Sequence, residues 1–343
     1  MSKVIRFHST GGPEVLQTDE VMFDEPAAGE LRIHVRAIGL NRMESQYRSG
    51  QLGTPESLPA VLGSEASGIV EAIGEGVSGF SIGDRVSTIP GFTTVPGFST
   101  KSGQHQCAVY GEQAYVPAEL AIPLPDSLSF TQGASIWMQY TTAYSALLNG
   151  PSIKSDDFVL ITAASSSVGL AAIQITNALG ATPIATTRDG SKAEALRNHG
   201  AKHVIITGRE EIAGEVRRIT NGRGARFILD PIAGRGFSAL VEAAAQLGHI
   251  LIYGIVGDTS ATPTVIPALL AIAKALTLRF VTQFQISLDP EKREKLVEFV
   301  NVGLSSGALK PVIDRTFRLA EIVDAHRYLE SNKHIGKIVI DLA

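Results

Sequence analysis

Residues 156 to 260 alternate between short apolar runs and stretches of helical spacing, and few folds accommodate that pattern. "DFVLIT" reads as a strand and "VGLAAIQITNALG" as a helix ending at Gly180. "TPIATT" is then a strand, "SKAEALRNHG" a helix ending at Gly200, and "HVIIT" a strand. "EEIAGEVRRITNG" reads as a helix, "ARFILD" as a strand, "GFSALVEAAAQLG" as a helix and "HILIYG" as a strand. Strands alternating with helices of this length predict βαβ units and a parallel, doubly wound sheet. The strands are almost continuously apolar, as strands covered on both faces must be.

The flanking chain has a different rhythm. Up to residue 125, "KVIRFH", "ELRIHVRAIGL", "SGIVEAIGEGV", "GDRVST" and "QAYVP" are short β-branched runs separated by Gly, Pro and Asp turns. "TQGASIWMQYTTAYSALLN" has helical spacing, with cap residues between Asp126 and Thr131. "DPEKREKLVEFVNVGLSSG" and "LAEIVDAHRYLESN" are amphipathic helices, and "GKIVIDL" is a closing strand. One core rarely grows past roughly 250–300 residues, so 343 residues predict two domains. The expected division is a β-rich domain over 1–125, completed by about 305–343, and an α/β domain over 126–304. "IPGFTTVPGFSTKSG" reads as a loop, either bordering a site or plain surface.

Composition narrows the function classes. Apolar residues make up 44% and charged residues 19%, a globular balance. A net charge of −4 gives no reason to expect nucleic acid or an anionic membrane as partner. The single cysteine, Cys107, forms no internal disulfide and no multi-cysteine zinc cluster, and reads as a bystander thiol. The eight histidines show no HxH or HExxH spacing and read as surface residues. "MSKVIRFHST" lacks the apolar core of a signal peptide, and no run of about 20 apolar residues appears. The expectation is a cytoplasmic protein acting on a small molecule.

The turn after "DFVLIT" carries the first functional signal. A G-x-G-x-x-G fingerprint falls on Ala164-Ser165-Ser166-Ser167-Val168-Gly169, where only the third glycine survives. Such a turn must offer backbone N–H groups and little bulk at a helix N-terminus, where the dipole favours anions. Serine is small and adds a hydroxyl donor, so Ser165, Ser166, Ser167 and Val168 become candidates to hold a pyrophosphate. "SSS" is equally what an ordinary helix N-cap looks like. The next strand ends in "TTRDGSK", with Thr187, Arg188, Ser191 and Lys192 and no acid at its tip. A carboxylate there would select NAD, whereas a guanidinium grips a 2′-phosphate, so the sequence predicts NADPH.

The chain resembles the medium-chain dehydrogenase/reductase superfamily, and within it the zinc-free quinone oxidoreductase-like branch, often labelled zinc-type alcohol dehydrogenase-like. "GLNRMESQYRSG" (39–50), "LPAVLGSEASGIVEAIGEGVSGFSIGDRV" (58–86), "WMQYTTAYSAL" (137–147), "ITAASSSVGLAAIQ" (161–174), "DPIAG" (230–234) and "GKIVI" (336–340) carry the likeness. The resemblance implies a GroES-like catalytic domain plus a Rossmann domain, with the nicotinamide between them. It also implies dimers or tetramers through edge strands of the Rossmann sheets. Zinc-using relatives place ligands where this chain has Asn41, Ser64 and a residue near Met138, none of them a thiolate, imidazole or carboxylate. Glu65 alone does not build a three-ligand zinc site, so no metal is expected.

The resemblance further implies that Asn41 faces the nicotinamide ribose and substrate, and that Thr142 and Lys337 lie near the cofactor. Tyr253, Gly254 and Val256 would run along it, and His334 stands where relatives often carry Asn. Asn41, Tyr47, Gln139 and Tyr140 are the candidates around the reacting atoms. The family's tyrosine aligns with Gln46, one residue before Tyr47. Without a Lewis acid, the suitable acceptor spreads its developing charge by conjugation, as a quinone or an α,β-unsaturated carbonyl does. Water or a tyrosine supplies the proton. The alternatives are a zinc-type alcohol dehydrogenase, a non-catalytic NADPH-binding protein and an enoyl-thioester reductase.

Overall fold

The structure is a computed structural model and describes residues 1–53, 55, 57–91, 108–257 and 264–342. Most of the loop over 89–103, together with His105 and Cys107, lies outside the described residues. The chain divides into two compact units, Met1–Met138 with Pro311–Ala343, and Gln139–Lys310.

The first unit is built on a seven-stranded mixed sheet. Its order is Ile313–Arg318, Lys337–Asp341, Glu30–Gly39, Ala66–Ile73, Arg85–Thr88 and Ala121–Pro123, with Gln113–Pro117 also pairing to Glu30–Gly39. Glu30–Gly39 shows period-2 burial: Leu31, Ile33, Val35 and Ala37 point into the core, and Arg32, His34 and Arg36 point away from it. The closing strand Lys337–Asp341 lies antiparallel to it, Ile340 opposite Ile38, so the C-terminus completes the first unit's sheet. A second sheet of three strands joins Leu16–Val21, Ser2–Phe7 and Ala60–Val61.

The second unit is the parallel sheet that the alternating pattern predicts. Its order is His203–Ile206, Thr182–Thr187, Phe158–Ile161, Ala225–Asp230, Ala244–Ile252 and Thr277–Phe280, all parallel. In chain order that is third, second, first, fourth, fifth, sixth, the doubly wound Rossmann arrangement. Leu160, Ile184, Ile228 and Ile250 form its core against Val216, Phe237 and Leu240 of the crossover helices. The strand order reverses between Phe158–Ile161 and Ala225–Asp230, the place where such sheets bind ligands at their carboxyl ends.

Several elements depart from the sequence reading. The helix read through "GFSALVEAAAQLG" stops at Ala243, and Ala244 already pairs with Ala225 as strand. Lys274 Nζ explains the stop, because it donates to the carbonyls of Val241, Glu242 and Ala244 at 3.1, 2.7 and 2.8 Å. "TQGASIWMQYTTAYSALLN" forms two helices, Phe130–Gly133 and Trp137–Leu147, the first opened by a capping box between Ser129 and Gln132. Leu16–Val21, Ala121–Pro123, Thr277–Phe280 and Ile313–Arg318 are further strands, each at a sheet edge, where a strand needs no full apolar face.

Candidate active site

The first strand of the parallel sheet ends at Ile161, and helix Ser167–Ala178 begins six residues later. Ala164 and Ser166, standing for the first two glycines, both avoid positive φ; the left-handed residue is Ala163, at φ 46°. Ser166 Oγ caps the helix, accepting from Gly169 N at 3.1 Å. The amides of Ser167 and Val168, the first two of the helix, have no acceptor among the described residues. They are orphan donors at the positive end of a helix dipole, which is what a phosphate needs. Gly169 is obligatory here: a Cβ would lie 2.6 Å from the Ala164 backbone. The close approach is therefore to the turn itself rather than to a strand.

A second turn supports the first. Lys192 Nζ donates to Ser165 Oγ at 3.1 Å, linking the two βα turns. Thr187 is buried, and its hydroxyl donates to Asp189 O at 3.1 Å. Arg188 is exposed, and its guanidinium makes no ion pair among the described residues. Asp189 is turned onto Ser191, accepting from its amide at 2.8 Å and from its hydroxyl. Those hydrogen bonds hold its carboxyl below the usual range. The Ser191 hydroxyl thus lies against Asp189, and Arg188 and Lys192 are the cations of this turn.

On the far side of the switch point, Asp230 is buried and accepts from the Thr162 hydroxyl and from Ala233 N at 2.7 Å. Burial raises its pKa. Tyr253 follows, its amide donating to Asp230 O at 3.0 Å. Its hydroxyl is buried beside Ser166 without a well-formed hydrogen bond, and burial pushes its pKa up. Gly254 packs on Pro231, and Val256 N donates to Pro231 O at 2.8 Å while its side chain is exposed. Thr162, Asp230 and the orphaned Tyr253 hydroxyl therefore gather at the end of the sheet where the serine turn lies.

The first unit holds a buried polar network. Lys337 Nζ donates to Asn41 Oδ1 at 2.6 Å and pairs with Glu65, and neither Lys337 nor Glu65 is more than 1% exposed. Glu65 Oε1 accepts from Met138 N at 3.0 Å. Gly39 makes room: a Cβ there would lie 2.1 Å from Ala134 O and 2.7 Å from Lys337 Cε. Asn41 Nδ2 donates to Gly39 O at 3.1 Å, so its amide is held at both ends. Glu44, three residues on, accepts from Asn41 N at 2.8 Å and from the Tyr110 hydroxyl at 2.7 Å.

Other candidates are placed less favourably for chemistry. Tyr140 is fully buried and donates its hydroxyl to Gln174 Oε1 at 2.7 Å, while Gln174 also bonds both backbone groups of Lys310. Its phenol is engaged by Gln174 inside the core. Tyr47 is buried with its ring edge-on to Phe7, centroids 5.5 Å apart, and is a core aromatic. Gln139 is buried with an unsatisfied Oε1, and Thr142 is buried on the same helix. His334 packs edge-on against Tyr328. The histidines are not all superficial, for His326 is wholly buried.

Comparisons with known proteins agree with this geometry. The alcohol dehydrogenase GroES-like domain family matches residues 27–126, and the zinc-binding dehydrogenase family matches residues 199–340. The quinone oxidoreductase of Salmonella typhimurium is 32% identical, covering 99% of both chains, and that of Pseudomonas aeruginosa is 30% identical with the same coverage. The chain belongs to the medium-chain dehydrogenase/reductase superfamily, in its quinone oxidoreductase-like branch. Escherichia coli quinone oxidoreductase, solved in complex with NADPH, superposes with a TM-score of 0.87 at 29% identity, covering 99% of this chain and 100% of that one. The second family's description names zinc, yet among the described residues no group of three or more His, Cys, Asp or Glu is gathered as for a metal ion. Among the described residues, no helix is long and apolar enough to cross a membrane.

Proposed function

We propose that the protein is an NADPH-dependent reductase of quinones and α,β-unsaturated carbonyls that works without zinc. The observation that carries the reading is the pair of linked turns: orphan amides at Ser167 and Val168, and an exposed Arg188 whose acidic neighbour is turned away onto Ser191. Full-length similarity to quinone oxidoreductases, one of them solved with NADPH, supports it.

The residues fit the cofactor. The Ser167 and Val168 amides hold the pyrophosphate, and Arg188 with Lys192 holds the 2′-phosphate. Tyr253 offers its unsatisfied hydroxyl, with Gly254 and Val256 along the same edge. Asn41, fixed by Lys337 and Gly39, orients the nicotinamide ribose and the acceptor, with Thr142 and His334 as further contacts. Bound NADPH supplies the hydride. Where zinc relatives carry a Lewis acid, this chain keeps an ammonium, Lys337, neutralised by Glu65. An acceptor that delocalises its own charge is the one such a site serves.

The protein is further proposed to be a homodimer through the edge strand Thr277–Phe280. Phe280 is 72% exposed there, and Leu269 and Ile272 are exposed on the preceding helix Ala268–Ala273.

The test is NADPH oxidation against a panel of quinones, enals and enones, beside NADH. Turnover with NADPH preferred is expected. Tight NADPH binding with no turnover of any acceptor would overturn the enzymatic reading in favour of a binding protein.

A further inference from the structure

The first unit buries a chain of titratable groups that the reaction described above leaves unused. Glu44 sits on helix Arg42–Arg48, Tyr110 precedes strand Gln113–Pro117, and His326 lies on helix Ile322–Glu330. The Tyr110 hydroxyl is 2.7 Å from Glu44 Oε2 and 3.2 Å from His326 Nε2. All three residues are buried, with exposures of 4, 1 and 0%. His326 Nδ1 is buried without a hydrogen-bond partner among the described residues. At its other end Glu44 meets Asn41, through the amide N at 2.8 Å and Nδ2 at 3.4 Å, and Ser64 N at 3.3 Å. A buried polar triad that leaves one nitrogen without a partner costs stability relative to apolar side chains of the same size.

We propose that His326, Tyr110 and Glu44 form a proton relay that delivers the proton consumed in the reduction to the Asn41 end of the network. This rests on the reading that Asn41 adjoins the acceptor.

The relay has two arrangements. With Glu44 ionised, Tyr110 donates to Glu44, His326 Nε2–H donates to Tyr110 Oη, and Nδ1 is bare. A proton arriving at Nδ1 displaces the one on Nε2 to Tyr110 Oη, and the phenol's own proton passes to Glu44 Oε2. The result is neutral Glu44 donating to Tyr110, Tyr110 donating to Nε2, and a neutral imidazole protonated at Nδ1. The reduced acceptor takes the proton from Glu44 and restores the carboxylate. Loss of the Nδ1 proton, with re-protonation at Nε2, returns the relay to its starting tautomer. Each cycle takes up two protons, one at Nδ1 and one at Nε2, and releases two, one to the acceptor and one from Nδ1, so the net transfer is one proton to the acceptor.

The electrostatics suit the task. Burial raises Glu44 to about 7, against the opposing hydrogen bonds of Tyr110 and Asn41 and the charge of Lys337. It therefore takes up and releases a proton at neutral pH. Burial, helped by Arg48 and Arg42, lowers His326 to about 3, so an imidazolium does not accumulate. Burial and the Glu44 charge raise Tyr110, so it passes a proton without resting as a phenolate. The other charges facing the relay are compensated: Lys337 by Glu65, and Arg48 by Glu330 with Glu14 nearby.

The test reads the tautomer of His326 by 15N NMR of histidine-labelled full-length protein, assigned by difference with His326→Gln. Nε2–H is expected above about pH 8 and Nδ1–H below about pH 6, following the Glu44 carboxyl read by 13C. In Tyr110→Phe the carboxyl still titrates and the tautomer stops following it. In turnover, Glu44→Gln is expected to lower kcat about tenfold or more and to flatten its pH profile near neutrality. A His326 tautomer that stays constant from about pH 5.5 to 8.5 would overturn the relay. So would a folded Tyr110→Phe enzyme with unchanged kcat and pH profile. If the wild type reduced no acceptor, the functional reading would fall, and the tautomer titration would still decide the relay.

Discussion

Replacing Lys337 by Met removes the buried ammonium and leaves the Glu65 carboxylate, 0% exposed, with the Met138 amide at 3.0 Å as its remaining hydrogen-bond donor among the described residues. The Asn41 Oδ1 acceptor loses its 2.6 Å donor in the same step. Breaking a buried pair by removing one partner costs about 3–5 kcal/mol, because the desolvated charge stays uncompensated. In a unit of this size that corresponds to a fall of roughly 10 °C in Tm. The second replacement changes the sign of the argument. Glu65→Leu on top of Lys337→Met removes the stranded charge, so the double variant is expected to recover most of the lost stability. The assay is urea or thermal unfolding followed by the fluorescence of Trp137, the sole tryptophan, buried in the same unit with Nε1 donating to Ser87 Oγ at 2.7 Å. A Lys337→Met protein within about 1 kcal/mol of wild type would refute the reasoning, as would a double variant less stable than the single one.

Three further outcomes follow from the geometry. Arg188→Ala is expected to raise KM for NADPH about 10- to 100-fold and leave that for NADH nearly unchanged, since a charged hydrogen-bonding group contributes about 1.5–3 kcal/mol; equal effects on both would show that Arg188 does not read the 2′-phosphate. Gly169→Ala forces a Cβ to 2.6 Å from the Ala164 backbone, so it should weaken NADPH binding measured by calorimetry and lower Tm, and unchanged binding would contradict the role given to the turn. Glu44 has its carboxyl raised from 4.5 to about 7 by burial, so the folded state disfavours the charged form, and stability is full below pH 4.5 and falls as pH rises through about 7. That gap corresponds to roughly 3 kcal/mol, so Glu44→Gln is expected to flatten the loss of stability between about pH 5 and pH 8.5, measured by urea unfolding.

Much of this was readable in the linear chain because it is local. The parallel sheet announces itself through runs such as "VLI" and "FIL" that must be covered on both faces. The serine turn, the glycine at 169 and the arginine at 188 lie within one βαβ unit. Ser166 proves to be the helix cap that its residue type also allowed, without consuming the Ser167 and Val168 amides. What escaped detection is either polar and at a sheet edge or remote in sequence. Ile313–Arg318 has no apolar alternation to mark it as a strand. The Lys337–Glu65 pair joins residues 272 apart, and the Tyr110–His326 contact joins residues 216 apart. Glu44 left a faint trace, an acid three residues after Asn41 at a helix start, which is the pattern of a capping box. The Tyr140 to Gln174 hydrogen bond was likewise not legible, because position in the chain carries no information on where a hydroxyl points.

Reduction by NADPH without a metal, with Lys337 and Glu65 beside Asn41 where zinc relatives build their site, is open to one direct check. The most direct measurement is the metal content of the purified protein together with NADPH-dependent quinone reduction, before and after exhaustive dialysis against a chelator. Far less than one zinc per chain and an unchanged rate are expected. Stoichiometric zinc, removed together with the activity and restored with it, would contradict it.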